Sequence, residues 1–408
     1  MSAPAAPDRY RIAVVTETYP PEVNGVARTI GMMVEGLRAR GHTIQLVRPR
    51  QGSADAPPAL ERLETLLRPG MPLPGYRELR LGLPSRHALR RAWRAWRPHV
   101  VQIVTEGPLG ASALAAARDL GIPAVSEFHT NFHHYSRHYG LGLFTGLIAA
   151  YLRRLHNRAQ CTLVPTAEVR DELRADGYRR LSVVGRGIDL ELFRPERRTA
   201  ALRGSWGASE SDLVALYVGR LAPEKNLRLF VEAAQAMRAV APRLRVVVVG
   251  DGPEGPALRA SRPEFVFAGV HTGVPLAQHY ASADVFLFPS LTETFGNVTT
   301  EAMASRLAIV AFEYAAARQY LRHRHSALLA PVGDAGAFVE AAQEMAADPR
   351  LRETARAAAL AAARGLTWQR VVDDLEAVFA EVIGQARAGR RPENAPAARR
   401  GTADHAAP

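Results

Sequence analysis

Residues 213–240 read LVALYVGRLAPEKNLRLFVEAAQAMRAV, and this stretch decides the fold class. An apolar, β-branched run ends at Val218, a loop of glycine, proline and charged residues follows, and a helical pattern begins near Lys225. Strand, polar loop and helix in that order form the unit of a parallel sheet, because a parallel neighbour can be reached only through a crossover. The same rhythm recurs along the chain. Strands are expected at 11–16, 43–47, 100–104, 124–127, 161–164 and 182–184, and then at 213–218, 244–249, 265–267, 284–288, 308–311 and 327–329. Each set makes one doubly wound α/β sheet.

Two sheets suit a chain of 408 residues, which exceeds the size at which single cores usually stop growing. The break falls at 186–207, where turn residues and charges interrupt the rhythm and an inter-domain linker is expected. The domains then run over 10–190 and 208–365. A helical pattern at 368–386 completes the first of them, and 387–408, without apolar periodicity, reads as a disordered tail.

The single cysteine, Cys161, excludes an intrachain disulfide, and the N-terminus lacks the charged and apolar regions of a signal peptide. The longest apolar-leaning run, 141–152, falls short of the roughly 20 residues that span a bilayer. The expected location is therefore cytoplasmic, with any contact at the inner face of the cytoplasmic membrane peripheral. A formal charge of +12 invites an anionic partner. However, 51 of the 52 basic residues are arginine, which reads as a compositional bias and leaves nucleic acid without a specific argument. Against that bias the one lysine, Lys225, stands out, since an ammonium and a guanidinium meet a phosphate differently.

Ligands of open parallel sheets bind beyond the carboxyl ends of the strands, where helix N-termini offer amides to anions. Polar clusters stand at those places in both halves: PPEVNG, EGPLG and FHTNFHH in the first, GRLAPEKN, GDGPEG and PSLTETFGN in the second. A cleft between the domains follows. Arg220 and Lys225 can converge on one anionic group. Glu293 is expected in the loop before a helix starting near Gly296, with Glu301 in its second turn, and the amides of Phe295, Gly296 and Asn297 pointing into the cleft.

The combination of TETYPPEVNGVARTI (16–30), VGRLAPEKNL (218–227), GDGP (250–253) and ADVFLFPSLTETFGNVTTEAMAS (283–305) resembles the family-4 retaining glycosyltransferases. It is most similar to the GDP-mannose-dependent α-mannosyltransferases and their glycolipid-making relatives. The match runs over 11–383. It implies the GT-B architecture, two Rossmann-like domains facing each other across a cleft, with the first on the acceptor side and the second binding a nucleotide-sugar donor. It implies that Arg220 and Lys225 hold the donor diphosphate, that Glu293 binds hydroxyls of the sugar and that Glu301 binds the ribose. The amides of Phe295, Gly296 and Asn297 complete the sugar pocket, Gly25 lets the first loop approach the phosphate, and His129 orients the sugar from the N-terminal side. Arg220, Lys225, His129 and Glu293 would then surround the reacting centre. Two positions depart from the family's pattern: Arg306 stands where glycine is usual, which bears on packing behind the donor pocket, and Asn24 where many members carry glycine.

The expected activity is retaining hexosyl transfer from GDP-mannose to a lipid-linked or membrane-proximal glycan acceptor, with a UDP-sugar as the alternative donor. No Asp-x-Asp triplet occurs in the chain, so no cofactor and no metal are expected and fixed cations must stabilise the leaving group. A nucleotide-sugar epimerase or a non-catalytic binding protein is the remoter reading. GDGPEG matches G-x-G-x-x-G formally, but it follows the second strand of its domain and lacks an acid about 20 residues on, which argues against NAD(P). His133, His134 and His138 have no accompanying ligand set for a metal. At 87–98, Leu89, Trp93 and Trp96 share one helical stripe beside Arg90, Arg94 and Arg97; it can pack on the sheet or lie on an anionic bilayer, and packing is favoured.

Overall fold

The computed structural model describes residues 9–22, 24–52, 55–57, 59–73, 76–129 and 145–388. The expected loop histidines His133, His134 and His138 lie outside these residues. The first half contains strands β1 (Arg11–Val15), β2 (Thr43–Pro49), β3 (Leu63–Arg68), β4 (Gly70–Leu73), β5 (Tyr76–Gly82), β6 (Val100–Ile103), β7 (Ala124–Glu127), β8 (Cys161–Val164) and β9 (Leu181–Val183). Seven of them form a parallel sheet in the order β3-β2-β1-β6-β7-β8-β9, while β4 and β5 pair as an antiparallel ribbon. The second half contains β10 (Val214–Val218), β11 (Arg245–Val249), β12 (Val266–Gly269), β13 (Val285–Phe288), β14 (Ala308–Phe312) and β15 (Leu328–Ala330), in the order β12-β11-β10-β13-β14-β15.

Both sheets reverse their winding beside their first strand. β1 pairs with β2 on one side and β6 on the other, and β10 likewise lies between β11 and β13. At such a reversal the helices leave to opposite faces and open a crevice at the carboxyl ends of the strands. The loops after β1, β6, β10 and β13 therefore border the ligand space.

β1, β10 and β13 are almost wholly buried, as the apolar runs require of central parallel strands. The strand β3 and the ribbon β4–β5 were not expected. β3 is a half-buried edge strand without clean alternation, and the sequence around the ribbon is broken by Pro69, Gly70, Pro72, Pro74 and Gly75. Pairing with β2, from Ile44↔Leu63 to Pro49↔Arg68, decides the conformation of β3 where local pattern does not.

The stretch at 186–207 is not a bare linker. It carries a short helix, Ala200–Ser205, and buries Phe193, Arg203 and Trp206. Arg203 donates to the Ser282 carbonyl at 2.8 Å, the Asp284 carboxylate at 3.1 Å and the Asp212 carbonyl at 2.6 Å, fixing this segment to the second sheet. The last helix runs over Trp368–Ala388, two residues into the expected tail, and the remainder lies outside the described residues. It returns to the first half, where Val371, Val372, Leu375 and Phe379 join Ile30, Met33, Val34 and Leu37 in one core.

The Trp/Arg segment forms the helix Arg86–Trp96 and buries Leu89 and Trp93, whose indole N–H donates to Gln45 Oε1 at 3.0 Å. Its apolar stripe belongs to the core. Asn24 caps the helix Gly25–Ala39 by accepting from the Ala27 amide at 2.8 Å, a role that a glycine side chain cannot perform. Arg306 has φ of 62°, the left-handed region that explains why glycine is usual there. Its guanidinium pairs with Glu353, and its carbonyl accepts from Arg356 at 2.9 Å. Left-handed backbone costs a side-chain-bearing residue roughly 1–2 kcal/mol, and a β-branched residue fits it least. Arg306→Val is accordingly expected to lower the free energy of unfolding in urea by about 1–2 kcal/mol, whereas Arg306→Gly changes it by less than about 1 kcal/mol.

Candidate functional site

A cavity of about 680 Å³ lies between the two sheets. Its N-terminal wall includes Thr18, Asn24, Gly25, Thr105, Glu106, His129 and Arg186, and its C-terminal wall Arg220, Lys225, Phe288, Glu293, Phe295, Gly296 and Asn297. Every expected site residue except Glu301 thus stands on one cavity.

The loop carrying Arg220 and Lys225 is built on the loop after β11. The Leu221 amide donates to the Asp251 carbonyl at 3.0 Å, and the Glu254 amide to the Leu221 carbonyl at 2.9 Å. A Cβ at Gly250 would stand 2.0 Å from the Gly219 carbonyl oxygen, and one at Gly252 2.4 Å from that of Leu221. Gly250 and Gly252 of GDGPEG are therefore required by the packing of one loop on another. Lys225 closes a one-turn 3₁₀ helix, Pro223–Lys225, ahead of the helix Leu227–Val240.

The Lys225 ammonium pairs with the Glu293 carboxylate and lies 5.7 Å from the centre of the Phe288 ring. Ser290 joins them, accepting from Lys225 at 3.4 Å and donating to Glu293 Oε1 at 2.8 Å. Glu293 precedes the helix Asn297–Ala304, whose N-cap, Gly296, has φ of 90°. The first amides of a helix lack intrahelical acceptors, so this terminus offers N–H groups and a partial positive charge to the cavity.

On the opposite wall, His129 lies with Nε2 2.6 Å from Glu127 Oε2 and Nδ1 3.3 Å from an Arg186 nitrogen. Arg186 can only donate, so Nδ1 accepts and Nε2 carries the hydrogen facing Glu127. Burial works to raise the Glu127 carboxyl, but its interactions with His129 and Arg186 and the hydrogen bond from Gln102 outweigh it and hold the group below its ordinary value. The histidine is a buried wall element, its Nδ1 hydrogen-bonded to Arg186 and its Nε2 lying against the Glu127 carboxylate. Its carbonyl accepts from Thr294 Oγ1 at 2.9 Å, a bond that joins the two domains.

Glu301 stands apart from the other expected groups. It is buried in the helix Asn297–Ala304, where Oε2 accepts from the Tyr280 hydroxyl at 2.9 Å and Oε1 pairs with Arg28 of the other domain. Burial raises its pKa against the opposing influence of Arg28. Gly25 is not required by packing: a Cβ there would meet the Asn297 amide nitrogen at 3.6 Å, an ordinary contact.

Sequence reasoning missed Arg28, Arg186, Glu17 and Glu106. Arg28 and Arg186 are two arginines among many. Glu106 and Glu17 lie in polar clusters whose partners come from distant loops. The Glu17 carboxylate accepts from the Gly82 and Leu109 amides, both at 3.3 Å. Its pKa is pushed up to about 7, by burial first, with Glu106 adding to the effect and the two amides opposing it.

Two family models match the chain: Glycosyltransferase Family 4 over residues 23–192 and Glycosyl transferases group 1 over residues 212–348. A GDP-mannose-dependent alpha-mannosyltransferase of Mycobacterium tuberculosis is 34% identical, over 92% of this chain and 97% of its own. An alpha-monoglucosyldiacylglycerol synthase of Acholeplasma laidlawii is 29% identical, over 74% of this chain and 79% of its own. Among solved structures, Anabaena HepE in complex with UDP and glucose superposes with a TM-score of 0.71 at 16% identity, over 91% of this chain and 100% of that one. The fold is the GT-B arrangement of two Rossmann-like domains.

The Glu17 shift has a consequence for stability. A carboxyl whose folded pKa is raised favours the folded state while protonated, so that contribution is lost as pH rises from the ordinary value of 4.5 through about 7. Glu17→Gln keeps an oxygen for the Gly82 and Leu109 amides and removes the charge. The variant is expected to gain stability over wild type progressively between pH 4.5 and 7, by at most about 3 kcal/mol, in urea unfolding across that range. A difference that does not change with pH would contradict this.

Proposed function

The chain belongs to glycosyltransferase family 4, and from that premise we propose that it transfers a mannosyl group from GDP-mannose, with retention at the anomeric carbon, to a hydroxyl of a lipid-linked or membrane-proximal glycan acceptor. The observation that carries this reading is the C-terminal wall of the cavity. Two cations, Arg220 and Lys225, stand there with Glu293 and a helix N-terminus. Cations and amides suit a diphosphate, and a carboxylate beside them suits sugar hydroxyls. The relative from Mycobacterium tuberculosis supports the donor, and the diacylglycerol synthase supports a lipid-linked acceptor.

The Lys225–Glu293 pair is suited to an exchange of partners. As the donor enters, the diphosphate takes the ammonium of Lys225 and the fork of Arg220, and Glu293 turns from Lys225 to the sugar. In the reaction the C1–O bond to the diphosphate breaks and its electron pair leaves with GDP. The acceptor oxygen bonds C1 on the same face, and its proton passes to a phosphate oxygen of the departing GDP. Arg220, Lys225 and the amides of Phe295, Gly296 and Asn297 stabilise the charge that develops on the leaving group, a role worth about 100- to 1000-fold for one preorganised donor. His129, held by Glu127 and Arg186, shapes the N-terminal side of the sugar pocket. Glu301 reaches the ribose only if Arg28 yields to it.

The absence of Asp-x-Asp and the presence of fixed cations support a metal-independent reaction. Among the described residues no helix is long and apolar enough to cross a membrane. The proposed work at the inner face of the cytoplasmic membrane would therefore be peripheral.

Lys225→Ala is expected to lower kcat by about 100-fold or more with GDP-mannose, and Lys225→Arg to recover part of it, because the planar group cannot occupy the ammonium's position. Near-normal turnover in a folded Lys225→Ala enzyme would remove the diphosphate assignment. Transfer is also expected to persist in EDTA. Complete loss restored by Mg²⁺ or Mn²⁺ would contradict the metal-independent mechanism. Thermal-shift titration with GDP-mannose against UDP-glucose checks the donor, since the true donor raises stability by mass action.

A further inference from the structure

Two helices begin at the cavity, one from each domain. The helix Gly25–Ala39 presents Gly25, Val26 and Thr29 to it, and the helix Asn297–Ala304 presents Asn297 and Val298. Their first residues lie side by side, since a Cβ at Gly25 would stand 3.6 Å from the Asn297 side-chain nitrogen. Residues three and four apart share a helix face, so the next turn brings Arg28 on one helix and Glu301 on the other. These two pair across the domains, directly behind the residues that line the cavity.

The pair is unequal. The Glu301 side chain is 5% exposed; its Oε2 accepts from the Tyr280 hydroxyl at 2.9 Å, and its Oε1 has Arg28 as its one partner among the described residues. The Arg28 side chain is 39% exposed, lies 5.1 Å from the centre of the Phe193 ring and makes no other side-chain hydrogen bond among the described residues. If the two part, water can solvate the arginine, but the buried carboxylate is left uncompensated unless another donor arrives. A ligand that brings hydroxyls to Oε1 therefore exchanges with Arg28, and does so at a cost set by the pair it breaks.

We propose that Arg28 occupies the ribose site of Glu301 in the ligand-free protein and is displaced by the 2′- and 3′-hydroxyls of the nucleotide, so that this arginine sets nucleotide affinity. The inference rests on the glycosyltransferase reading, which brings the ribose to Glu301. The vicinal hydroxyls supply the donors that Arg28 withdraws. Because Arg28 and Glu301 belong to different domains, the same exchange also removes one of the contacts between the domains. A nucleotide without those hydroxyls leaves the pair in place.

The test is a cycle between the arginine and the ribose hydroxyls. Isothermal titration calorimetry on the full chain compares GDP with 2′,3′-dideoxy-GDP, and UDP with its dideoxy analogue, in wild type, Arg28→Ala and Arg28→Lys. Arg28→Ala is expected to bind the ribonucleotide about 10-fold more tightly than wild type and the dideoxy analogue within about 2-fold, a coupling of the size found between groups in direct contact. Arg28→Lys keeps a cation opposite Glu301 and is expected to stay within about 3-fold of wild type for both. A residue that served the fold alone would change the two nucleotides equally. An equal gain for both, an unchanged affinity, or weaker ribonucleotide binding in Arg28→Ala overturns the proposal and leaves the donor reading standing. Failure of wild type to bind either GDP or UDP overturns the donor reading, and the proposal with it.

Discussion

The structure of the cleft turns on one ion pair, Lys225 with Glu293, set at the meeting of two loops that come from neighbouring strands. The pair keeps a lone ammonium and a carboxylate partly buried, each near 15% exposed, where either alone would be costly. Around it the architecture is strict. Gly250 and Gly252 let one loop lie directly beneath another, which fixes the position of Lys225, and Ser290 ties the carboxylate to the end of β13. An ion pair of this kind is a poor source of stability, and in the function proposed above an entering diphosphate would offer the lysine a stronger partner and release the glutamate.

The same logic extends across the cleft. Arg28 reaches from the first domain to Glu301, Thr294 donates to the His129 carbonyl, and Glu168 pairs with Arg318 while accepting from the Ala315 amide at 3.1 Å. These polar contacts are few and replaceable, unlike the apolar cores on either side. The C-terminal helix crosses back to pack on the first domain, so the domains are joined by 186–207 and again near 366–368. Ile188 and Leu366 bond at this junction, the Ile188 amide donating to the Leu366 carbonyl at 2.8 Å. Two strands of chain at one side and exchangeable polar contacts at the other are suited to hinge motion around a ligand.

Much of this was legible in the residues. Twelve of the thirteen strands of the two parallel sheets follow from β-branched runs, and the loop positions of Arg220, Lys225, Glu293 and Gly296 follow from where those runs stop, because strand ends and helix starts are local properties. What the sequence could not carry was pairing across distance. β3 is a strand because β2 lies beside it, and the segment 186–207 is ordered because Arg203 finds carbonyls at 209, 212 and 282. Glu301 illustrates the same limit. Its place in the helix was predictable, but its capture by Arg28, 273 residues away, was not. GDGPEG shows a motif whose residues were visible and whose reason, close backbone packing, was visible only in three dimensions.

The claim on which the rest depends is that this wall receives the donor's diphosphate. A crystal structure of the full chain with an unreactive GDP-mannose analogue tests it most directly. The account predicts phosphate oxygens within about 3 Å of the Lys225 ammonium and the Arg220 guanidinium, with the Glu293 carboxylate on the sugar hydroxyls. A nucleotide bound elsewhere, with the Lys225–Glu293 pair intact, would contradict it.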